Sequence, residues 1–216
     1  MKYPINNIHF GEGNLRSIKN SEFCYLTWSL PSQKTCPSST ELCRKFCFAK
    51  KNENFVNVRN SRENNYLASE QKDFAMNVIN FITEHMSKKK YQEKLLIVRI
   101  HTSGDFYNKE YLNKWITIAN HFKDVENIQF QSYTKSVRFL GDKRLKDINI
   151  HFVYSQWDDT NEEDLEFARA LNLPIFYATS RGNVAEYKGF ICPKTSDGKC
   201  HECYKHNHEL ILVSYH

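Results

Sequence analysis

With 216 residues, 40% of them hydrophobic, the chain can bury one full core and is too short for two large domains, so a single domain over 1–216 is expected. No run of eighteen apolar residues occurs and the first twenty residues contain no apolar h-region, which points to a cytosolic protein with no membrane span. The net charge of +5 permits a nucleic-acid partner without indicating one, because the densest basic run, Lys88-Lys89-Lys90, reads as the solvated end of a helix.

The first strand is expected at Cys24–Leu30, with Cys24 as a small buried hydrophobe, and it stops at Pro31. A loop carrying Cys36, Cys43 and Cys47 follows. A helix from about Arg62 to Ser87 presents Leu67, Phe74, Val78, Phe81, Ile82 and Met86 at helical spacing. The strand Leu95–His101 runs into Thr102-Ser103-Gly104-Asp105-Phe106. Asn108 then caps a helix with a core face of Leu112, Trp115, Ile116, Ala119 and Phe122. A strand at Ile128–Tyr133 ends in Thr134-Lys135-Ser136, and a short helical piece covers about Val137–Leu145. Strand Ile148–Tyr154 ends in Ser155-Gln156-Trp157. Thr160 and Glu163 form a capping box for a helix at Glu162–Leu171. Strand Pro174–Tyr177 ends in Ala178-Thr179-Ser180, and a last pair of short strands is expected at Gly189–Cys192 and Glu209–Ser214.

This alternation predicts an α/β fold, a mainly parallel sheet with helical crossovers. Five to six β-α units are too few for an eight-stranded barrel, so a partial (βα) barrel is the preferred architecture and a doubly wound sheet the second. Small and polar residues gather just after the strands, where such folds build their sites. Candidate cofactor-binding residues are therefore Ser103, Gly104, Asp105, Tyr133 and Ser155. Candidate catalytic residues are Asp105, His101, which reads equally as a general base or metal-supporting group and as a hydrogen-bonded core histidine, and Lys135 as a partner for a carboxylate or phosphate. Gln156 and Arg181 fall at the same end, and Arg59, Asn60, Arg62 and Asn64 follow the cysteine loop as a possible anion-binding group.

Six of the seven cysteines form two tight groups, and in a reducing compartment clustered cysteines read as metal ligands more readily than as disulfides. The first group, Cys36-x6-Cys43-x3-Cys47, offers three thiolates and leaves one coordination position open. That is the arrangement of a [4Fe-4S] cluster in radical S-adenosylmethionine (radical-SAM) enzymes, whose usual spacing is C-x3-C-x2-C and whose second strand ends in a turn comparable to Ser103-Gly104-Asp105; zinc with a distant fourth ligand is the other reading of this group. The second group, Cys192, Cys200 and Cys203 with His206, supplies four ligands for zinc or for an auxiliary iron–sulfur cluster, with His201 and His208 as competing ligands. Both groups meeting around one cluster is a third arrangement.

The stretches Lys34-Thr35-Cys36-Pro37, Cys43, Cys47-Phe48-Ala49, Arg99-Ile100-His101-Thr102-Ser103-Gly104-Asp105-Phe106-Tyr107, Tyr133-Thr134-Lys135-Ser136 and the closing Cys192-Pro193, Cys200-x-x-Cys203 resemble the phage-encoded gene product 88 family, roughly from Leu30 to His206. Phe48 stands where that family usually has Tyr, and His206 stands where a third closing cysteine is expected. The resemblance implies a phage protein working in the host cytoplasm and, through a related family, a radical-SAM-like enzyme of unknown substrate using a [4Fe-4S] cluster and S-adenosylmethionine. The alternative is a zinc-stabilised, non-catalytic module that binds nucleic acid or a host protein.

Overall fold

The computed structural model describes residues 8–12, 22–145, 147–180, 186–193 and 207–215. Seven strands form one sheet: β1 (Phe23–Ser29), β2 (Leu95–Ser103), β3 (Ile128–Thr134), β4 (Ile150–Trp157), β5 (Ile175–Thr179), β6 (Phe190–Ile191) and β7 (Leu210–Ser214). Their spatial order is β1-β2-β3-β4-β5-β7-β6, and every pair of neighbours is parallel. Six helices accompany them among the described residues: α1 (Glu41–Lys45), α2 (Phe48–Asn52), α3 (Val56–Glu70), α4 (Phe74–Ser87), α5 (Lys109–His121) and α6 (Glu162–Ala170).

The expected class, a parallel sheet with helical crossovers, is what forms. One sheet face carries Leu26, Trp28, Val98, Ile100, Phe130 and Phe152, which pack on Phe74, Val78 and Ile82 of α4 and on Leu112, Trp115 and Ile116 of α5. Tyr154, on the same face, meets Leu165 and Ala168 of α6. Strands added in sequence order with helices on one face are the beginning of a barrel, and this sheet stays open, consistent with a partial barrel. The order β5-β7-β6 ends the regular progression. Trp28 lies at the centre of the core, with its ring centroid 5.4 Å from that of Phe74 and 6.1 Å from that of Trp115. Full burial of each such side chain is worth about 1.5–3 kcal/mol.

Several boundaries differ from expectation. The helix expected from Arg62 to Ser87 is two helices, with a break at Gln71-Lys72-Asp73. The break follows from a polar run, Glu70 to Asp73, and is stabilised from outside: Lys114 Nζ donates to Ser69 O (2.8 Å) and Gln71 O (3.0 Å), carbonyls that the end of α3 leaves without helical partners. Leu67 falls on α3 out of phase with the α4 stripe and is 44% exposed. Asn108 caps α5 as expected, accepting from Tyr111 N (2.8 Å). For α6 the cap is Asn161, which accepts from Asp164 N (2.8 Å). Thr160 is engaged one step earlier, accepting from Trp157 N (2.8 Å), so the expected Thr160–Glu163 capping box does not form. Strand β4 continues to Trp157, and the piece at 137–145 is two short 3-10 turns, Val137–Phe139 and Lys143–Leu145.

Candidate functional site

Beyond β1 the chain turns over the C-terminal edge of the sheet and is fastened there before the first ligand candidate. Leu30 N donates to Ser103 O (2.8 Å), Asp105 N to Thr35 O (3.0 Å) and Thr35 Oγ1 to Pro31 O (2.7 Å). Gly104 makes this approach possible. Its φ is +86°, and a Cβ there would lie 2.6 Å from Thr35 Oγ1 and 2.7 Å from Leu30 Cβ. Further along, Thr40 caps α1 by accepting from Cys43 N (3.3 Å), and Asp159 at the end of β4 accepts from Leu42 N (2.7 Å). Arg62 of α3 donates to Ala49 O (2.8 Å) and Glu53 Oε1 (2.9 Å), while Glu53 accepts from Ser32 N (2.7 Å) and Ser32 Oγ (2.8 Å). The loop bearing Cys36, Cys43 and Cys47 is thus tied to β2, β4 and α3. Arg62, expected as part of an anion-binding group, is one of its fasteners.

All three cysteines are partly buried free thiols. Burial pushes the Cys36 thiol up to about 12, and Asp105, Cys43 and Cys47 add to the effect. Burial also raises Cys43, against the opposing pull of Lys135 and with added pressure from Cys47, Asp105 and Asp159. These mutual influences put the three thiols, Asp105, Lys135 and Asp159 in one electrostatic neighbourhood. As placed, no three His, Cys, Asp or Glu side chains among the described residues stand close enough together to hold a metal ion. The donor set is soft and thiol-rich, and Cys36 and Cys43 are costly to ionise without a cation.

Asp105 is fully buried and its carboxylate is occupied. Oδ1 accepts from Phe106 N (2.7 Å) and Thr134 Oγ1 (2.6 Å), and Oδ2 accepts from Lys135 N (2.8 Å) and Ser136 N (3.3 Å). Burial raises its pKa and these four donors oppose that rise. A carboxylate has about four acceptor positions. Asp105 therefore clamps the end of β2 to the end of β3, which is a different role from the expected pairing with a ligand ammonium. Lys135 projects from the same turn. Its ammonium donates to Ser155 O and lies 5.6 Å from the Trp157 ring centroid. Burial lowers its pKa to about 8, with Cys43, Asp105, Asp159 and Cys36 pulling the other way.

His101 adopts φ +66° where the β1–β2 register shifts between Thr27 and Ser29. Its Nε2 lies 3.1 Å from the Tyr111 hydroxyl and its Nδ1 lies 3.5 Å from Ser132 Oγ. Trp28 Nε1 donates to that same hydroxyl (2.9 Å). With Trp28 donating, His101 Nε2 is the one acceptor among the described residues for the tyrosine proton, and that pairing puts the imidazole proton on Nδ1. Burial depresses this histidine to about 3. The residue expected as a general base is a neutral member of a core network.

The other candidates are placed as follows. Ser103 is buried at the end of β2, its carbonyl used by Leu30 N and its Oγ without a hydrogen-bond partner among the described residues. Ser155 contributes its carbonyl to Lys135. Tyr133 lies on the sheet face opposite the helices, beneath Arg99 and edge-on to Phe176. Cys192 follows β6, its N–H donating to Leu212 O (2.8 Å). The His208 ring stacks on Phe190 at 4.3 Å. Cys200, His201, Cys203, His206 and Arg181 lie outside the described residues, so the second cysteine group is placed only at Cys192.

Sequence reasoning missed the acidic pair after Trp157. Asp158 accepts from Tyr177 Oη (2.8 Å) and Tyr215 Oη (2.6 Å), and Phe46 packs on Tyr215 with ring centroids 4.7 Å apart. Asp158-Asp159 at a strand end was the available signal.

A parallel α/β chain with an open sheet and a thiol-bearing loop fastened over its C-terminal edge is the class that fold and site define. The chain belongs to the gene product 88 family: the family described as Gene product 88 matches residues 7–179. The match takes in β1 to β5 and the Cys36–Cys47 loop and ends before Cys192, so the closing cysteines lie beyond it. No curated protein and no solved structure matches the chain.

Proposed function

We propose that the C-terminal edge of the sheet is a cofactor site, in which Cys36, Cys43 and Cys47 supply three thiolates to an iron–sulfur cluster and S-adenosylmethionine binds beside it, making the protein a radical-SAM-like enzyme. The observation that carries the reading is the loop itself: three free thiols on one segment, tied from three sides over the ends of parallel strands. The thiols fit in kind, since a cluster stabilises the thiolate form that burial opposes at Cys36 and Cys43. The loop must draw them closer, and metal binding that is coupled to local folding supplies the energy for that. Two carboxylates affect Cys43: Asp105 is saturated by four donors, and Asp159 gives one oxygen to Leu42 N in the first turn of α1. The saturation of Asp105 removes one nearby candidate for the fourth ligand of a closed zinc site, which supports an open coordination position.

The bound cluster would deliver an electron to the cofactor's sulfonium. The chain's own residues do the positioning. Asp105 locks the β2 and β3 ends, Gly104 lets the loop approach, and Lys135 holds a positive charge beside the thiols. Anaerobic reconstitution with iron and sulfide, reduction with excess dithionite as the electron source, and a test for reductive cleavage of S-adenosylmethionine to methionine and 5′-deoxyadenosine examine the reading. An iron-loaded protein that neither binds nor cleaves S-adenosylmethionine overturns it. A colourless protein holding stoichiometric zinc favours the non-catalytic module.

A further inference from the structure

A parallel sheet is ordinarily apolar on both faces, because helices cover both. Here α4, α5 and α6 pack on one face, and the other carries a polar row set between buried apolar residues, Tyr25 and Ile97 on one side and Val153 on the other. Register places Thr27 beside Arg99, Arg99 beside Gln131 and Gln131 beside His151, a single polar row across β1, β2, β3 and β4. Tyr133, Ser155 and Phe176 continue that face toward the C-terminal edge, and Tyr133 and Phe176 meet edge-on at 5.2 Å. Gln131, Tyr133 and His151 have partners of their own. Arg99 is the exception. Its guanidinium lies 5.1 Å from the Tyr133 ring centroid, its Nε is buried without an acceptor, and no hydrogen bond or ion pair joins it to a described residue. The other arginines among the described residues, Arg44, Arg59, Arg62, Arg138, Arg144 and Arg169, all donate to oxygen. A partly buried guanidinium in a polar row, held by a ring and lacking an acceptor, works against folding unless something else supplies the oxygen atoms.

We propose that Arg99, braced on Tyr133, anchors an oxyanion of the substrate, a carboxylate or a phosphate, on the sheet face opposite the helices. The planar fork suits either group. Tyr133 lies two residues before Lys135, roughly 7 Å along β3, so an anion held here would sit below the thiol edge with the rest of its molecule directed toward it. The inference names the substrate class of the proposed cofactor site and takes its meaning from that reading, but its test needs no metal.

The test uses the metal-free full chain and its Arg99→Met and Arg99→Lys variants, titrated with inorganic phosphate and separately with acetate at constant ionic strength set by chloride. Thermal denaturation and calorimetry follow the binding. Wild type should show saturable protection by one of the two anions, which also tells phosphate from carboxylate. Arg99→Met should weaken binding tenfold or more while melting no lower than wild type without ligand. Arg99→Lys should weaken it severalfold, because it keeps the charge and loses the planar fork. Absence of saturable protection in wild type, equal binding by the variants, or a lower unliganded melting temperature in Arg99→Met would each overturn the proposal. None of these outcomes alters the iron content by which the cofactor reading is judged.

Discussion

His101 carries a side chain in the left-handed region, where non-glycine residues are uncommon, and holds it there through Tyr111 and Ser132. Its protonation should govern part of the acid sensitivity. The folded-state pKa lies near 3 and the ordinary value is 6.5. Between those values the unfolded chain binds a proton that the folded chain does not, so stability is full above pH 6.5 and falls as pH drops toward 3. The slope from this one group reaches at most about 1.4 kcal/mol per pH unit. His101→Asn tolerates the left-handed backbone and removes the imidazole. Urea midpoints measured between pH 7 and 4 should fall less steeply in the variant, and parallel profiles would refute the buried neutral histidine. Tyr111→Phe leaves Trp28 Nε1 and His101 Nε2 without their shared partner and should cost about 2 kcal/mol in urea denaturation. Asp105→Ala leaves three buried donors unmatched, Phe106 N, Thr134 Oγ1 and Lys135 N, while Ser136 N keeps Thr134 Oγ1, and it should cost more than that, about 3 kcal/mol or above. If Asp105 were chiefly a ligand group, the same variant would keep its stability.

At the level of elements, the cysteine loop depends on ties from elsewhere in the chain. The Arg62–Glu53 pair has side chains 7% and 19% exposed, and it links α3, α2 and the Ser32 turn. Arg62→Ala should destabilise the protein by about 2 kcal/mol, less than a fully buried pair because Glu53 keeps some solvent. It should also free the loop locally. Alkylation followed by mass spectrometry should then find Cys36, Cys43 and Cys47 reacting faster than in wild type, with Cys24 in β1 unchanged. Uniform acceleration at all four would point to global unfolding, and no acceleration would show that the tie does not control the loop. Much of this level was legible in sequence. The α5 stripe and its Asn108 cap follow from periodicity and cap chemistry. The break between α3 and α4 was not legible, because Lys114 reaches it from 43 residues beyond Gln71. The α6 cap was placed one residue early because Thr160 and Asn161 are both good capping residues, and only the turn at Trp157 decides between them.

For the whole molecule, hydrophobic alternation was enough to predict a parallel α/β sheet with its polar edge, and no helix among the described residues is long and apolar enough to cross a membrane. The site was legible in residue type more than in role. The cysteine loop, Gly104, Asp105 and Lys135 converge as the strand-end pattern suggested. Asp105 and His101 turn out to be engaged in structure, because a sequence shows which polar groups reach an edge and not how many donors they meet there. Arg99 escaped notice because it sits inside a strand, where only cross-strand register reveals the polar row. The most direct test of the proposed cofactor site is the iron and sulfide content of the anaerobically reconstituted full chain beside its Cys36→Ala, Cys43→Ala and Cys47→Ala variants. About four iron and four sulfide per wild-type chain, lost on removal of any one of the three thiols, is the expected result. Iron content that is unchanged in all three variants, or zinc in place of iron, would contradict it.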